Sequence, residues 1–185
     1  MTGSAEETPL LNAKDVGNTI RRLAFQILER HPALDVAFVG IHRRGVTLAR
    51  RVAEALRAEK AEITQGTLDI SFHRDDLYQR SELPTVESSD LSFDPAGANI
   101  ILFDDVIFTG RTIRSAIDCL MGFGRPARIE LAVLVDRGNR ELPIQPDYAG
   151  LTRPMGQQDY LQVRFTEIDG EDGLYLGSSK ERSEH

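Results

Sequence analysis

The sequence predicts an α/β domain built on a mostly parallel sheet with helices against its faces. Three observations predict it. Short apolar runs at residues 36–41, 100–103 and 129–135 read as strands buried on both sides. Stretches with apolar residues at helical spacing lie between them. Charged loops follow the strands, at His42, Asp104 and Asp136. Alternating strands and helices imply right-handed crossovers, and such sheets bind ligands beyond the carboxyl ends of their strands. A single cleft could receive all three loops.

The totals fit one domain. The 185 residues are 41% hydrophobic and 28% charged, enough for a sizeable core. A net charge of −7 argues against a protein that coats nucleic acid generally, while a local basic face stays possible. Cys119 is the only cysteine, which excludes an internal disulfide and a cysteine zinc cluster. No run approaches the length of a membrane span, and the polar, acidic start is no signal peptide. The expectation is a cytoplasmic protein with no membrane partner.

In chain order, residues 1–9 are polar and expected to be disordered. Asn12 is placed to cap a helix running to about Arg30, with Val16, Ile20, Leu23, Ile27 and Leu28 as its buried stripe. His31-Pro32 ends it. Arg21 and Arg22 lie off that stripe. After the strand at 36–41 comes His42-Arg43-Arg44-Gly45, then a helix with Val46, Ala49, Val52, Ala53 and Leu56 on its apolar side. Two arginines between a strand and a helix suit a polyanion, and equally a basic surface turn.

Residues 66–72 alternate as a third strand. From 73 to 97 no period appears, and so long an irregular stretch suggests a flexible active-site lid. Residues 129–135 form another strand, followed by the charged loop 136–143. Residues 161–165 alternate as an edge strand, and 177–185 read as a polar, disordered tail. No repeat or second domain boundary is visible.

The central stretch carries the chemistry. Ile100-Ile101-Leu102-Phe103 is followed by Asp104 and Asp105, then Val106-Ile107-Phe108, then Thr109-Gly110-Arg111-Thr112. That last segment opens a helix whose apolar face is read as Ile113, Ala116, Ile117, Leu120 and Met121, with Cys119 off it. A helix N-terminus after a strand presents backbone N–H groups to an anion. Gly110 permits close approach, and Thr109 and Thr112 add hydroxyl donors. No Gly-Lys-Ser/Thr follows a four-residue spacer, so this is not a Walker loop. Either fragment alone also reads as a solvated turn or a plain helix cap. Together they are far more restrictive.

That combination resembles the phosphoribosyl-pyrophosphate (PRPP) signature of type I phosphoribosyltransferases along its whole length. Further segments resemble one branch, the PyrR-type pyrimidine operon regulators. They are residues 39–46, 68–77, 124–126 and 131–144, and the likeness spans about 10–176. It implies the type I phosphoribosyltransferase fold, with a flexible hood loop over a mostly parallel sheet. It also implies two activities. One is uracil phosphoribosyltransfer, in which uracil and PRPP give UMP and pyrophosphate. The other is binding of the pyrimidine mRNA leader in response to uridine nucleotides.

Carried over by position, Asp104 and Asp105 hold the ribose hydroxyls, and Val106, Ile107, Phe108, Thr109, Gly110, Arg111 and Thr112 hold the 5′-phosphate. His42, Arg43 and Arg44 belong to the pyrophosphate site, with Arg44 in contact with it. Arg74 and Asp75 sit on the hood loop, and Asp136 and Arg137 lie near the base. Magnesium would enter with PRPP, held largely by ligand oxygens, since the chain offers no all-protein cage. Phe108 stands where purine-using relatives carry an Asp, which fits a pyrimidine. Arg21 and Arg140 are the candidate RNA contacts. Gln145 and Leu151 replace basic residues common in the branch, so an enzyme with weakened or lost RNA regulation is the alternative reading. The resemblance further implies a dimer or tetramer.

Overall fold

The computed structural model describes residues 9–57, 62–70, 89–156 and 159–178. In chain order the elements are β1 (Pro9–Leu11), α1 (Ala13–Arg30), β2 (Ala37–Ile41), α2 (Arg44–Leu56), β3 (Gln65–Leu68), β4 (Asp90–Leu91), β5 (Asn99–Ile107), α3 (Arg111–Phe123), β6 (Arg128–Asp136), β7 (Tyr148–Thr152), β8 (Asp159–Arg164), α4 (Thr166–Asp169) and β9 (Gly173–Ser178).

The main sheet has the order β4-β3-β2-β5-β6-β7. All its pairs are parallel except the edge pair of β3 with β4. β5 lies in the middle with both faces covered. Ile101 and Phe103 join the cluster under α1 and α2, with Leu23, Ile27, Leu48, Val52 and Leu56. Ile100 and Leu102 join the opposite cluster under α3, with Ile113, Ala116 and Leu120. This is the period of two expected of a strand buried on both sides. A small antiparallel sheet, β1-β9-β8, stands apart and draws its strands from the two ends of the described chain.

Local chemistry sets the boundaries. Asn12 caps α1, its Oδ1 accepting from Asp15 N at 3.1 Å, and the His31 amide closes the last turn on Ile27 O. The turn from β2 into α2 lies directly over β5. A Cβ at Gly45 would stand 2.2 Å from the Phe103 carbonyl oxygen, and one at Gly40 2.4 Å from Val46 Cα. Only glycine fits at either position.

Several expectations change. β5 does not stop at Phe103 but runs through both aspartates to Ile107, because β6 continues to pair with it. Cys119 is buried, with its Sγ 4.0 Å from Ser89 Oγ, whereas Met121 is exposed. The stripe of α3 is thus rotated from the one read from spacing. Residues 148–152, given no element in the sequence, form β7, which pairs with β6 and packs under α1. Part of the segment taken for a lid, residues 90–91, is strand β4, while Arg74 and Asp75 lie outside the described residues. Pro9 belongs to β1, and residues 177–178 to β9. Among the described residues no helix is long and apolar enough to cross a membrane.

Candidate active site

The carboxyl ends of β2, β3 and β5 converge on one pocket lined by His42, Arg43, Arg44, Asp69, Asp104, Asp105 and Thr112, with Ile41, Ile70 and Val106 as its apolar wall. The topology explains the gathering. In a parallel sheet these strand ends share one edge, and β2, β3 and β5 are neighbours. Asp69 and Ile70 were expected inside a strand over residues 66–72 and were given no part in the site, but β3 ends at Leu68 and leaves both at the pocket.

Asp104 is buried at 7% exposure, and its Oδ1 accepts from the Asp105 backbone N at 2.9 Å. Desolvation pushes the Asp105 carboxyl above the ordinary carboxylate range, while the Asp104 hydrogen bond and the nearby Arg44 charge pull against it. Two acids beside a guanidinium form a site that can accept hydroxyl protons and neutralise an anion together. Arg44 opens α2 and donates from Nη2 to Asp169 Oδ1 at 2.7 Å.

The turn from β5 into α3 is braced by the loop after β6. Gly110, with φ +93°, occupies the N-cap of α3, and Thr109 Oγ1 accepts from Arg111 N at 3.3 Å. Thr109 O accepts from Glu141 N and Leu142 N. Arg111 turns outward to Glu141 at 2.7 Å. Ile107 is buried in the core, so its side chain is unavailable to a phosphate. Its carbonyl accepts from Arg137 N.

Arg137 and Phe108 form the adjoining wall. The Arg137 guanidinium lies 3.9 Å from the Phe108 ring centroid and donates to Asp159 O at 2.8 Å and Gly156 O at 3.1 Å. Asp136 accepts from Gly138 N and from Arg140 Nη2, each at about 2.9 Å or less.

Arg140 is turned into its own loop. It is only 11% exposed, and it donates to Ile144 O, Phe108 O and Gly138 O as well as to Asp136. A guanidinium so engaged folds its own loop. Arg21 does lie on the exposed face of α1, hydrogen-bonded to Asn18, and Arg22 donates to Gly150 O.

The donor set suits a hard cation held mostly by a ligand's own oxygens. Asp104 and Asp105 offer oxygen alone, and among the described residues no group of three or more His, Cys, Asp or Glu is placed to hold a metal.

Comparison with known proteins agrees with this architecture. The family model described as phosphoribosyl transferase domain matches residues 8–163. The bifunctional protein PyrR of Roseiflexus sp. (strain RS-1) is 47% identical over 173 residues, covering 92% of this chain and 94% of its own. That of Chloroflexus aurantiacus is 46% identical over 172 residues, covering 92% and 94%. Among solved structures, the hypoxanthine phosphoribosyltransferase of Trypanosoma cruzi superposes with a TM-score of 0.70 at 14% identity, covering 93% and 97%. A hypoxanthine-guanine phosphoribosyltransferase of Bacillus anthracis gives 0.69 at 15%, covering 94% and 99%. The structural matches speak for the fold, and the sequence matches for the branch. An α/β sheet with paired acids at the lip of its central strand, continuous in sequence with these relatives, makes the chain a member of the phosphoribosyltransferase domain family and, within it, of the PyrR type.

Proposed function

We propose that the protein transfers the phosphoribosyl group of PRPP to uracil, giving UMP and pyrophosphate. We further propose that it regulates pyrimidine genes by binding the pyrimidine mRNA leader in response to uridine nucleotides. The observation that carries the reading is the pocket itself, with Asp104 and Asp105 facing Arg44 at the start of α2 and Thr112 at the start of α3.

In this reading the turn from Val106 to Thr112 receives the 5′-phosphate through backbone N–H groups and the hydroxyls of Thr109 and Thr112. Asp104 and Asp105 accept the ribose hydroxyls. His42, Arg43 and Arg44 take the pyrophosphate, with Arg74 and Asp75 on the hood. The C1′–oxygen bond to pyrophosphate breaks as uracil N1 bonds to C1′ and passes its proton to water. Positive charge grows on the ribose while the leaving group carries away the electron pair. The carboxylates and the arginine therefore stabilise opposite ends of one transition state. Magnesium, when bound with PRPP, adds neutralisation of the leaving oxygens, and the oxygen donors of Asp104 and Asp105 fit its neighbourhood. Asp136 and Arg137, with Phe108 against Arg137, stand on the base side.

The test is direct. Purified protein with uracil, PRPP and magnesium should form UMP and pyrophosphate in equal amounts, with hypoxanthine and guanine unused in the same assay. No UMP above background would overturn the enzyme reading.

One observation favours a second reading in which the RNA role is weakened. Arg140 is engaged inside its own loop, leaving Arg21, beside Arg22, as the basic candidate on α1. A gel shift of the host's pyrimidine leader, with and without UMP, separates the two. A UMP-dependent complex supports regulation, and its absence supports an enzyme alone. Exposed Met121 and Phe123 on α3 support self-association into a dimer or tetramer, which sedimentation would read. A cytoplasmic location accompanies this function.

A further inference from the structure

One contact at the pocket has no part in the chemistry above. Arg44 donates to Asp169, the last residue of α4, across 125 residues of sequence. The two side chains are 31% and 16% exposed, so the pair is partly withdrawn from water.

Asp169 is itself fixed in place. Its Oδ2 accepts from the Phe165 backbone N at 2.9 Å, and its own amide donates to Phe165 O at 2.7 Å. The short helix that carries it is fastened to α2 by other arginines. Arg51 bonds Glu167 and Asp172 and stacks over the Phe165 ring at 4.9 Å, and Arg50 bonds Glu167 at 2.9 Å. The carboxylate of Asp169 therefore stays where it is, beside the pocket and not in it.

Arg44 and Asp105 line the same pocket, and the arginine's charge acts on that carboxyl. An arginine carries five N–H donors in a rigid fork, and Asp169 accepts from Nη2. Among the described residues the buried Nε has no hydrogen-bond partner. Asp169 takes one of the five donors and the side chain stays 31% exposed, so donors remain on the fork while one edge is held. Holding that edge removes rotamer freedom that an untethered arginine would lose only on binding.

We propose that Asp169 is a positioning residue for phosphoribosyl transfer, orienting the Arg44 guanidinium toward the pyrophosphate of PRPP. The proposal rests on the reading of this pocket as the PRPP site. It also assigns a task to α4 and the small sheet, which hold the anchor rather than touch the substrate.

The experiment is a double-mutant cycle. Asp169→Ala and Asp169→Asn are made in the native protein and in Arg44→Ala, and PRPP affinity is measured by calorimetry with magnesium, alongside steady-state kinetics with uracil. In the native background Asp169→Ala should raise the KM for PRPP about tenfold, with kcat and the KM for uracil each changed by less than about threefold. In the Arg44→Ala background it should change PRPP affinity by less than about twofold, because its only route is through that arginine. Tyr148→Phe, which removes a buried hydrogen bond to Glu130 away from both α4 and the pocket, should lower Tm and leave the KM for PRPP unchanged.

Unchanged or tighter PRPP binding in Asp169→Ala would overturn the proposal. So would an equal loss in both backgrounds, or an equal rise in KM for PRPP in Tyr148→Phe. Native protein that binds PRPP without making UMP would overturn the uracil reading alone, with the affinity cycle still deciding on Asp169. Native protein that binds no PRPP would overturn both.

Discussion

The guanidinium carbon of Arg137 lies over the ring of Phe108, 3.9 Å from its centroid, and both residues follow strands at the carboxyl edge of the sheet. Burial holds the Arg137 pKa below its ordinary value, opposed by Asp159, and its Nε has no hydrogen-bond partner among the described residues. The ring face is thus a principal compensation for a desolvated cation. Phe108→Ala should destabilise the protein by about 2 kcal/mol, the upper range for a desolvated cation–π pair. It should raise the KM for uracil severalfold while the KM for PRPP stays within about twofold, and Phe108→Tyr should restore both. Urea unfolding and steady-state kinetics on the three proteins would check this.

Arg140 ties Asp136 to the phosphate turn through Phe108 O. Arg140→Ala leaves the Asp136 carboxylate at 14% exposure without its cation. Breaking a buried pair from one side costs about 3 kcal/mol. The expected outcome is a lowered urea midpoint together with a raised KM for PRPP, because the turn it braces carries the phosphate. A variant as stable and active as the native protein would show that the loop holds itself.

Asp104→Asn and Asp105→Asn should each lower kcat/KM by about a hundredfold or more, since both remove a negative charge from where positive charge develops. The native acid limb carries further information. Desolvation raises the Asp105 pKa, so its carboxylate is lost by protonation at a higher pH than an ordinary Asp. Activity should therefore fall, as pH decreases, above the usual carboxylate range near 4. Because the two acids interact, the midpoint belongs to the pair. A pH profile of kcat/KM for PRPP reads it, and Asp105→Asn should flatten that limb.

Asp172 gives a separate signature in stability. Its hydrogen bonds to Arg51 depress its pKa from 3.8 to about 2. A depressed carboxylate stabilises the fold fully above its unfolded pKa, and that stability is lost as pH falls through the folded value. The window is thus between about pH 4 and pH 2, and the amplitude about 2 kcal/mol. Urea unfolding across that range should show the loss, and Asp172→Asn should remove that share of it.

What was legible in the sequence follows from how locally each signal is written. Asn12 and His31-Pro32 bound α1 because caps and breakers act within one turn. The site was legible for the same reason, since Asp104, Asp105 and Thr112 lie within one strand-to-helix unit and His42 to Arg44 within another. β5 extended beyond its apolar run because charged residues at the lip of a buried strand look like its end. β7 carries Gly150 and little alternation. It is a strand because it fits beneath α1, where a Cβ on Gly150 would meet Thr19 Cγ2 at 2.5 Å. Arg140 was taken for a surface cation because nothing in a charged loop announces that four carbonyl and carboxylate groups will converge on it. Asp169 was invisible, since its partner is remote in sequence and α4 is only four residues long.

The small sheet pairs Pro9 with Tyr175. During synthesis the strands of the main sheet emerge in an order that lets them assemble as they appear, but β1 must wait for β9 before it has a neighbour. The same final segment brings the clasp for Arg44. A ribosome-bound chain that has already made every acid and arginine lining the pocket still lacks Asp169 and the strand that pairs with β1.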